Sequence, residues 1–76
     1  MEEMDYQREG YGFRSFFNAG TDKVTLETDT WGVDVYIIDS NGDAHFESEV
    51  FNVSIDEIKE MTDVEFFNFK IENGIF

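Results

Sequence analysis

Few residues in this chain have side chains that do covalent chemistry, and their spacing assembles no catalytic set. The 76 residues hold one His (His45), no Cys and no glycine-rich phosphate loop. A nucleophile–base pair would need His45 beside Ser15, Ser40, Ser48 or Ser54, and no spacing marks any of these as a nucleophile. Paired carboxylates can carry acid–base catalysis, but with 18 Asp and Glu in the chain a pair arises anywhere by chance. An enzyme is therefore not expected. Without Cys, neither a thiolate zinc site nor a disulfide framework can form. Asp39-Ser40-Asn41-Gly42-Asp43 places oxygens at alternate positions, as a calcium loop does. An EF-hand loop starting there would need Gly where Ala44 stands and Glu where Val50 stands. No metal or cofactor is expected.

What the chain has in excess is carboxylate. Its 18 acidic and 5 basic residues give a net charge of -13, beside 17% aromatic and 41% apolar residues. That charge opposes direct binding to nucleic acid or charge-driven binding to an anionic membrane. No apolar run approaches the roughly 18 residues of a membrane span. The N-terminus, Met1-Glu2-Glu3-Met4-Asp5, lacks the basic and apolar regions of a secretory signal, so a cytoplasmic location is expected. Solubility asks for a net charge of magnitude roughly 2 to 8 in a small domain. The value here overshoots that range and adds self-repulsion. The surplus reads as serving a basic partner.

Positioning such charges requires a fold, and the composition points to a β-rich one. There is one Leu (Leu26) and there are two Ala (Ala19, Ala44), while Val, Ile and Phe dominate the apolar residues. Those side chains suit a pleated, half-buried surface. A single domain is expected, with residues 1–10 as a frayed lead-in. Strands are expected over 11–18, 23–28, 31–38, 44–51 and 64–71, with turns at 19–22, 29–30 and Asn41-Gly42. Ser54 and Glu57 form a capping box with Val53 and Ile58 as its staple. They open a short helix that aligns Ile55, Ile58 and Met61. A two-residue loop at Asn41-Gly42 pairs Ile37 with Phe46, Val35 with Ser48 and Val33 with Val50. A two-residue loop at Asp29-Thr30 pairs Leu26 with Val33 and Val24 with Val35, and a four-residue turn at 19–22 pairs Phe17 with Val24 and Ser15 with Leu26. All of these registers put apolar residues on one face. The expected class is α+β: a small antiparallel β-meander of four to five strands with one short helix packed on one face.

The same registers place Glu27, Asp34, Tyr36, Glu47 and Glu49 on the open face, with Arg14 and His45. Asp34 stands directly opposite Glu49, a pairing of like charges that destabilises a sheet. Glu47 and Glu49 would lie about 6.6 Å apart along the strand, a spacing that imitates successive backbone phosphates. Asp39 and Asp43 extend the row to the hairpin tip, and Asp29 lies at the opposite end. Tyr36, Phe16 and Phe66 supply exposed aromatic anchors. The expected function is that of a non-catalytic acidic binding protein. It would mimic nucleic acid and inhibit a DNA- or RNA-handling enzyme by occupying its basic groove. In size, charge and aromatic content the chain resembles small acidic phage inhibitors: anti-CRISPR proteins, anti-restriction proteins and uracil-DNA glycosylase inhibitors. A bacterial host's cytoplasm would be its location in that case. Residues 31–43, ending Ile37-Ile38-Asp39-Ser40-Asn41-Gly42-Asp43, are similar to the last hairpin of the glycosylase inhibitor. The shared pattern is that of a generic hairpin and assigns no family. Two other readings stand beside this one. The first is a structural or regulatory subunit, or homodimer, joined through Phe-rich edge strands. The second is an immunity protein seated on a toxin nuclease.

Overall fold

The computed structural model describes residues 3–18 and 29–75. Strands Tyr6–Arg8 (β1), Tyr11–Asn18 (β2), Thr30–Ile38 (β3) and Ala44–Phe51 (β4) form one antiparallel sheet in the order β1-β2-β3-β4. Helices Ile55–Glu60 (α1) and Asp63–Glu72 (α2) follow and cover one face. The class is the expected α+β meander. Its details differ from the sequence reading in several places.

The expected lead-in is a strand from Tyr6 onward. Arg8 pairs with Tyr11, and the intervening Glu9 and Gly10 have φ of 51° and 84°. Two positive φ values in a two-residue loop are the signature of a type I′ turn. Glu is an uncommon residue there, which hides the turn in the sequence. Asp5 fixes the start of β1: its Oδ2 accepts the Ser15 N–H at 2.9 Å and the Ser15 hydroxyl at 3.0 Å.

The neighbour of β3 on one side is β2, paired from Tyr11↔Ile37 to Asn18↔Thr30. Val33 thus faces Ser15 and Val35 faces Phe13, not Leu26 and Val24. The strand expected over 23–28 lies outside the described residues, and the edge of β3 assigned to it is taken by β2.

The strand expected over 64–71 is a helix. Thr62 caps it: its hydroxyl accepts the Glu65 N–H at 3.2 Å, and Glu65 Oε1 accepts the Thr62 N–H at 2.9 Å. This is a second capping box, built like the expected one at Ser54 and Glu57. Each box satisfies backbone donors that a helix start otherwise leaves unpaired. The helix ends with Gly74 at φ 68°. Ile75 N–H donates to the Lys70 carbonyl at 2.8 Å and Gly74 N–H to that of Ile71 at 3.2 Å. That is a Schellman ending. It turns Ile75 back into the core.

The core is Phe13, Val33, Val35, Val50, Val53, Ile58, Phe66, Phe69 and Ile75, with Tyr6, Tyr11, Ile55 and Met61 packed around it. Rings hold the helices to the sheet: Phe66 lies edge-on to Phe13 at 6.1 Å and to Tyr11 at 6.2 Å. Arg8 clamps the same junction, with its Nη1 donating to the Ile58 carbonyl at 2.8 Å and its guanidinium 4.5 Å from the Phe66 ring centre. Phe66 is thus buried, not an exposed anchor.

Candidate partner-binding face

The face of the sheet turned away from the helices carries three cross-strand rows. In the central row Arg14 is opposite Asp34, and Asp34 opposite Glu49. To one side Phe16, Gly32 and Phe51 form a row, and the rings of Phe16 and Phe51 meet edge-on at 5.7 Å above the glycine. To the other side stand Gly12, Tyr36 and Phe46, with Tyr36 and Phe46 edge-on at 5.6 Å. A Cβ at Gly12 would meet the Met4 side chain at 2.6 Å and Ile38 Cδ1 at 3.1 Å. Its absence lets those two apolar side chains extend this end. Phe46 and Phe51 are more than half exposed. The face is therefore an acidic centre between two aromatic pairs.

Of the expected site residues, Asp34, Tyr36 and Glu49 share this face. The like-charge opposition of Asp34 and Glu49 is present in the register. Arg14, expected opposite Glu27, stands opposite Asp34 instead. Glu27 itself lies outside the described residues. Asp29 is exposed just before β3.

Asp39, Asp43 and Glu47 depend on the hairpin, whose loop differs from expectation. Asp39 N–H donates to the Asp43 carbonyl and Gly42 N–H to that of Asp39, each at 3.0 Å. The loop therefore holds three residues, Ser40, Asn41 and Gly42, and Gly42 sits at φ 86°. Such loops end in a left-handed glycine. The extra loop residue shifts the register by one, so Ile37 faces His45 and Tyr36 faces Phe46. A bulge between Val35 and Tyr36 then restores the expected pairs Val35↔Ser48 and Val33↔Val50. Glu47 is the extra residue of that bulge. The expected regular step from Glu47 to Glu49 is thus interrupted. Phe46, read as a core residue, turns to the open face, and His45 leaves it.

Asp39 is occupied within the turn. Its Oδ1 accepts the N–H groups of Asn41 and Asp43 at 2.9 Å each, and His45 Nε2 lies 2.7 Å from its Oδ2. The His45 contact, then the Asp43 N–H, hold its carboxyl below the ordinary range. Asp5 is held low by Ser15, and Glu65 by Thr62. In all three the cause is a hydrogen bond to the charged form. A lowered value gives stability that is complete above the unfolded pKa and is lost as pH falls through the folded one. The Asn41 and Asp43 amide shifts should therefore report a carboxyl titration whose midpoint lies below that of an ordinary Asp. An NMR titration checks this, and a midpoint above about pH 4 contradicts it.

The remaining acids are not gathered on the open face. Asp56, Glu57, Glu60, Asp63, Glu65 and Glu72 lie on the exposed side of the helical layer. Val53 and Met61 floor an open groove there of about 500 Å³, rimmed by Glu57, Glu60 and Glu65. Two of those carboxylates are tied into the capping boxes. Among the described residues, no group of three or more potential metal ligands converges. No helix there is long and apolar enough to cross a membrane.

The aromatic flanks were only partly foreseen. Alternation singles out Phe16 and Tyr36, but not Phe46 and Phe51. Phe46 was hidden by the loop length, which no residue pattern fixes once Asn-Gly is present. Compared with family models, curated proteins and solved structures, the chain matches none.

Proposed function

We propose that this chain is a non-catalytic binding protein that docks its open sheet face on a cationic protein surface. The partner class favoured by the charge is a DNA- or RNA-handling enzyme, whose substrate groove is basic, and occupying that groove would inhibit it. The observation that carries the reading is the Asp34–Glu49 opposition between two aromatic pairs, each with one exposed ring. Like charges placed directly opposite cost stability, and a partner's cations would relieve that cost. Aromatic side chains at the border of a charged centre are the usual anchors of a protein interface. Arg14 stands opposite Asp34 at one end of the central row, and the other described Arg and Lys side chains lie on the helical side. Arg8, Lys59 and Lys70 lie over the rings of Phe66, Tyr6 and Tyr11. The carboxylates occupy both sides of the molecule. The support is therefore the overall negative field with one aromatic face, not an even ribbon of phosphate-like groups.

Pairing through sheet edges is the weaker alternative. β1 is three residues long, and β4 carries a bulge at Glu47 and the charges of Glu47 and Glu49. Short, bulged and charged edges discourage strand addition.

Glu49→Lys tests the reading by separating stability from binding. It turns the central row into alternating charges, which should add about 0.2–1 kcal/mol to stability. It should also weaken capture of basic nucleic-acid enzymes from bacterial lysate by at least about tenfold, roughly 1.4 kcal/mol. A variant that loses stability would make Glu49 structural. One that binds unchanged would remove the face from recognition.

A further inference from the structure

Helix α2 is apolar on two sides. Phe66 and Phe69 are buried against the sheet, whereas Val64, Phe67 and Ile71 are 70%, 58% and 46% exposed. These three stand at positions i, i+3 and i+7, so they form one stripe on the outer side of the helix. Single exposed apolar residues are ordinary. Three in register on a capped helix are the anchor spacing by which helices dock on other proteins. The stripe has acidic borders. On one border the Asp63 side chain, 94% exposed, pairs with Arg8 Nη2 at 3.2 Å; on the other flank Glu72 is exposed beside Glu65, whose Oε1 accepts the Thr62 N–H. Arg8 offsets Asp63 alone; Lys59 and Lys70 reach back over Tyr6 and Tyr11 and leave the Glu72 flank negative.

We propose that Val64, Phe67 and Ile71 dock a cationic amphipathic helix of a partner protein. Its apolar side chains would lie on the stripe and its Lys or Arg side chains toward Asp63, Glu65 and Glu72. Charge complementarity selects this occupant. A second copy would bring acidic borders together with -13 on each chain. A helix about 15 Å long is also short for the roughly 800 Å² per partner of a stable interface. An anionic membrane is repelled by the same carboxylates. This surface lies on the opposite side of the sheet from Asp34 and Glu49, and it goes beyond the function proposed for that face.

The test uses a synthetic peptide of about five helical turns with Leu at heptad a and d positions and Lys elsewhere. A control peptide of the same composition has its Leu positions shuffled. Titrated into the full chain, the patterned peptide should bind at least about tenfold more tightly than the shuffled one. Phe67→Ser combined with Ile71→Ser should abolish that preference, and Phe46→Ser on the open sheet face should keep it. Far-UV circular dichroism and thermal unfolding verify the fold of each variant. Phe67→Gln alone gives the same readout if the double variant unfolds. Equal binding of the two peptides, or a preference that survives in the stripe variants, overturns the proposal. A dimer in sedimentation equilibrium that Phe67→Ser dissociates also overturns it, since a second copy would then fill the stripe.

Discussion

Replacing Phe66 by Ala should destabilise the domain by about 3–5 kcal/mol. Replacing Phe67, the next residue, should change stability by no more than about 0.5 kcal/mol. Phe66 is 1% exposed and joins the helical layer to the sheet. Its ring contacts Phe13 and Tyr11 edge-on and stacks on Phe69 at 6.3 Å, with Arg8 and Lys70 over it. Truncating it opens a cavity that three elements cannot collapse to fill. Phe67 is 58% exposed on the outer side of α2. A small domain has only a modest margin of stability, so Phe66→Ala should be largely unfolded at room temperature. Urea unfolding of both variants checks this. It also distinguishes the helix from the alternating strand that the sequence suggests, because a strand with Phe67 and Phe69 inward would reverse the order of the two effects.

That reversal shows where the sequence is legible and where it is not. Val64 to Ile71 alternates well enough to resemble a strand because the helix is apolar on both sides. Phe66 and Phe69 serve the core, and Val64, Phe67 and Ile71 do not. A periodicity argument assumes one apolar face, and this segment violates the assumption. The deciding signal is local: Thr62-Asp63-Val64-Glu65 is the same capping pattern that correctly opens α1 at Ser54. The β3–β4 hairpin was legible from Asn41-Gly42 and its flanking alternation. Its central pairs, Val33↔Val50, Asp34↔Glu49 and Val35↔Ser48, came out as expected. They did so because two unread features compensate: the loop has one more residue than expected, and the bulge at Glu47 takes that residue back. Between them lie Phe46 and His45, whose expected faces are exchanged, while Tyr36 keeps the open face expected of it. The Glu9-Gly10 turn was not legible because Glu seldom adopts positive φ. Of the candidate face, the acidic centre followed from alternation alone. Of its four aromatic border residues, Phe46 depended on the bulge and did not.

Gly32→Ala should cost roughly 3 kcal/mol, the upper end of the range for overpacking. A Cβ at Gly32 would land on the Val50 carbonyl oxygen. It would also sit 2.9 Å from the Phe51 Cα and 3.0 Å from the Val50 carbonyl carbon. These are backbone atoms of the paired strand, so no side chain can swing aside to make room. Relief requires β4 to move off β3 near Phe51. The Phe16–Phe51 ring pair lies across the same glycine, so one aromatic flank of the candidate face should be disordered together with the strand end. Thermal unfolding measures the first effect. Loss of amide protection at Phe51 and Asn52 measures the second, since Asn52 N–H donates to the Trp31 carbonyl at 2.9 Å in the native fold. Wild-type stability in Gly32→Ala would mean that the strands are further apart here than described.

The most direct measurement of the central claim is the salt dependence of partner binding, read together with competition by double-stranded DNA. Exposed charges are screened over about 10 Å at 0.1 M salt and about 3 Å at 1 M. If the open face recognises a cationic groove, affinity for a captured enzyme should fall by at least about tenfold across that range. Duplex DNA should displace the chain. An affinity that stays flat with salt, or a partner that binds DNA and this chain simultaneously, would contradict recognition through Asp34 and Glu49.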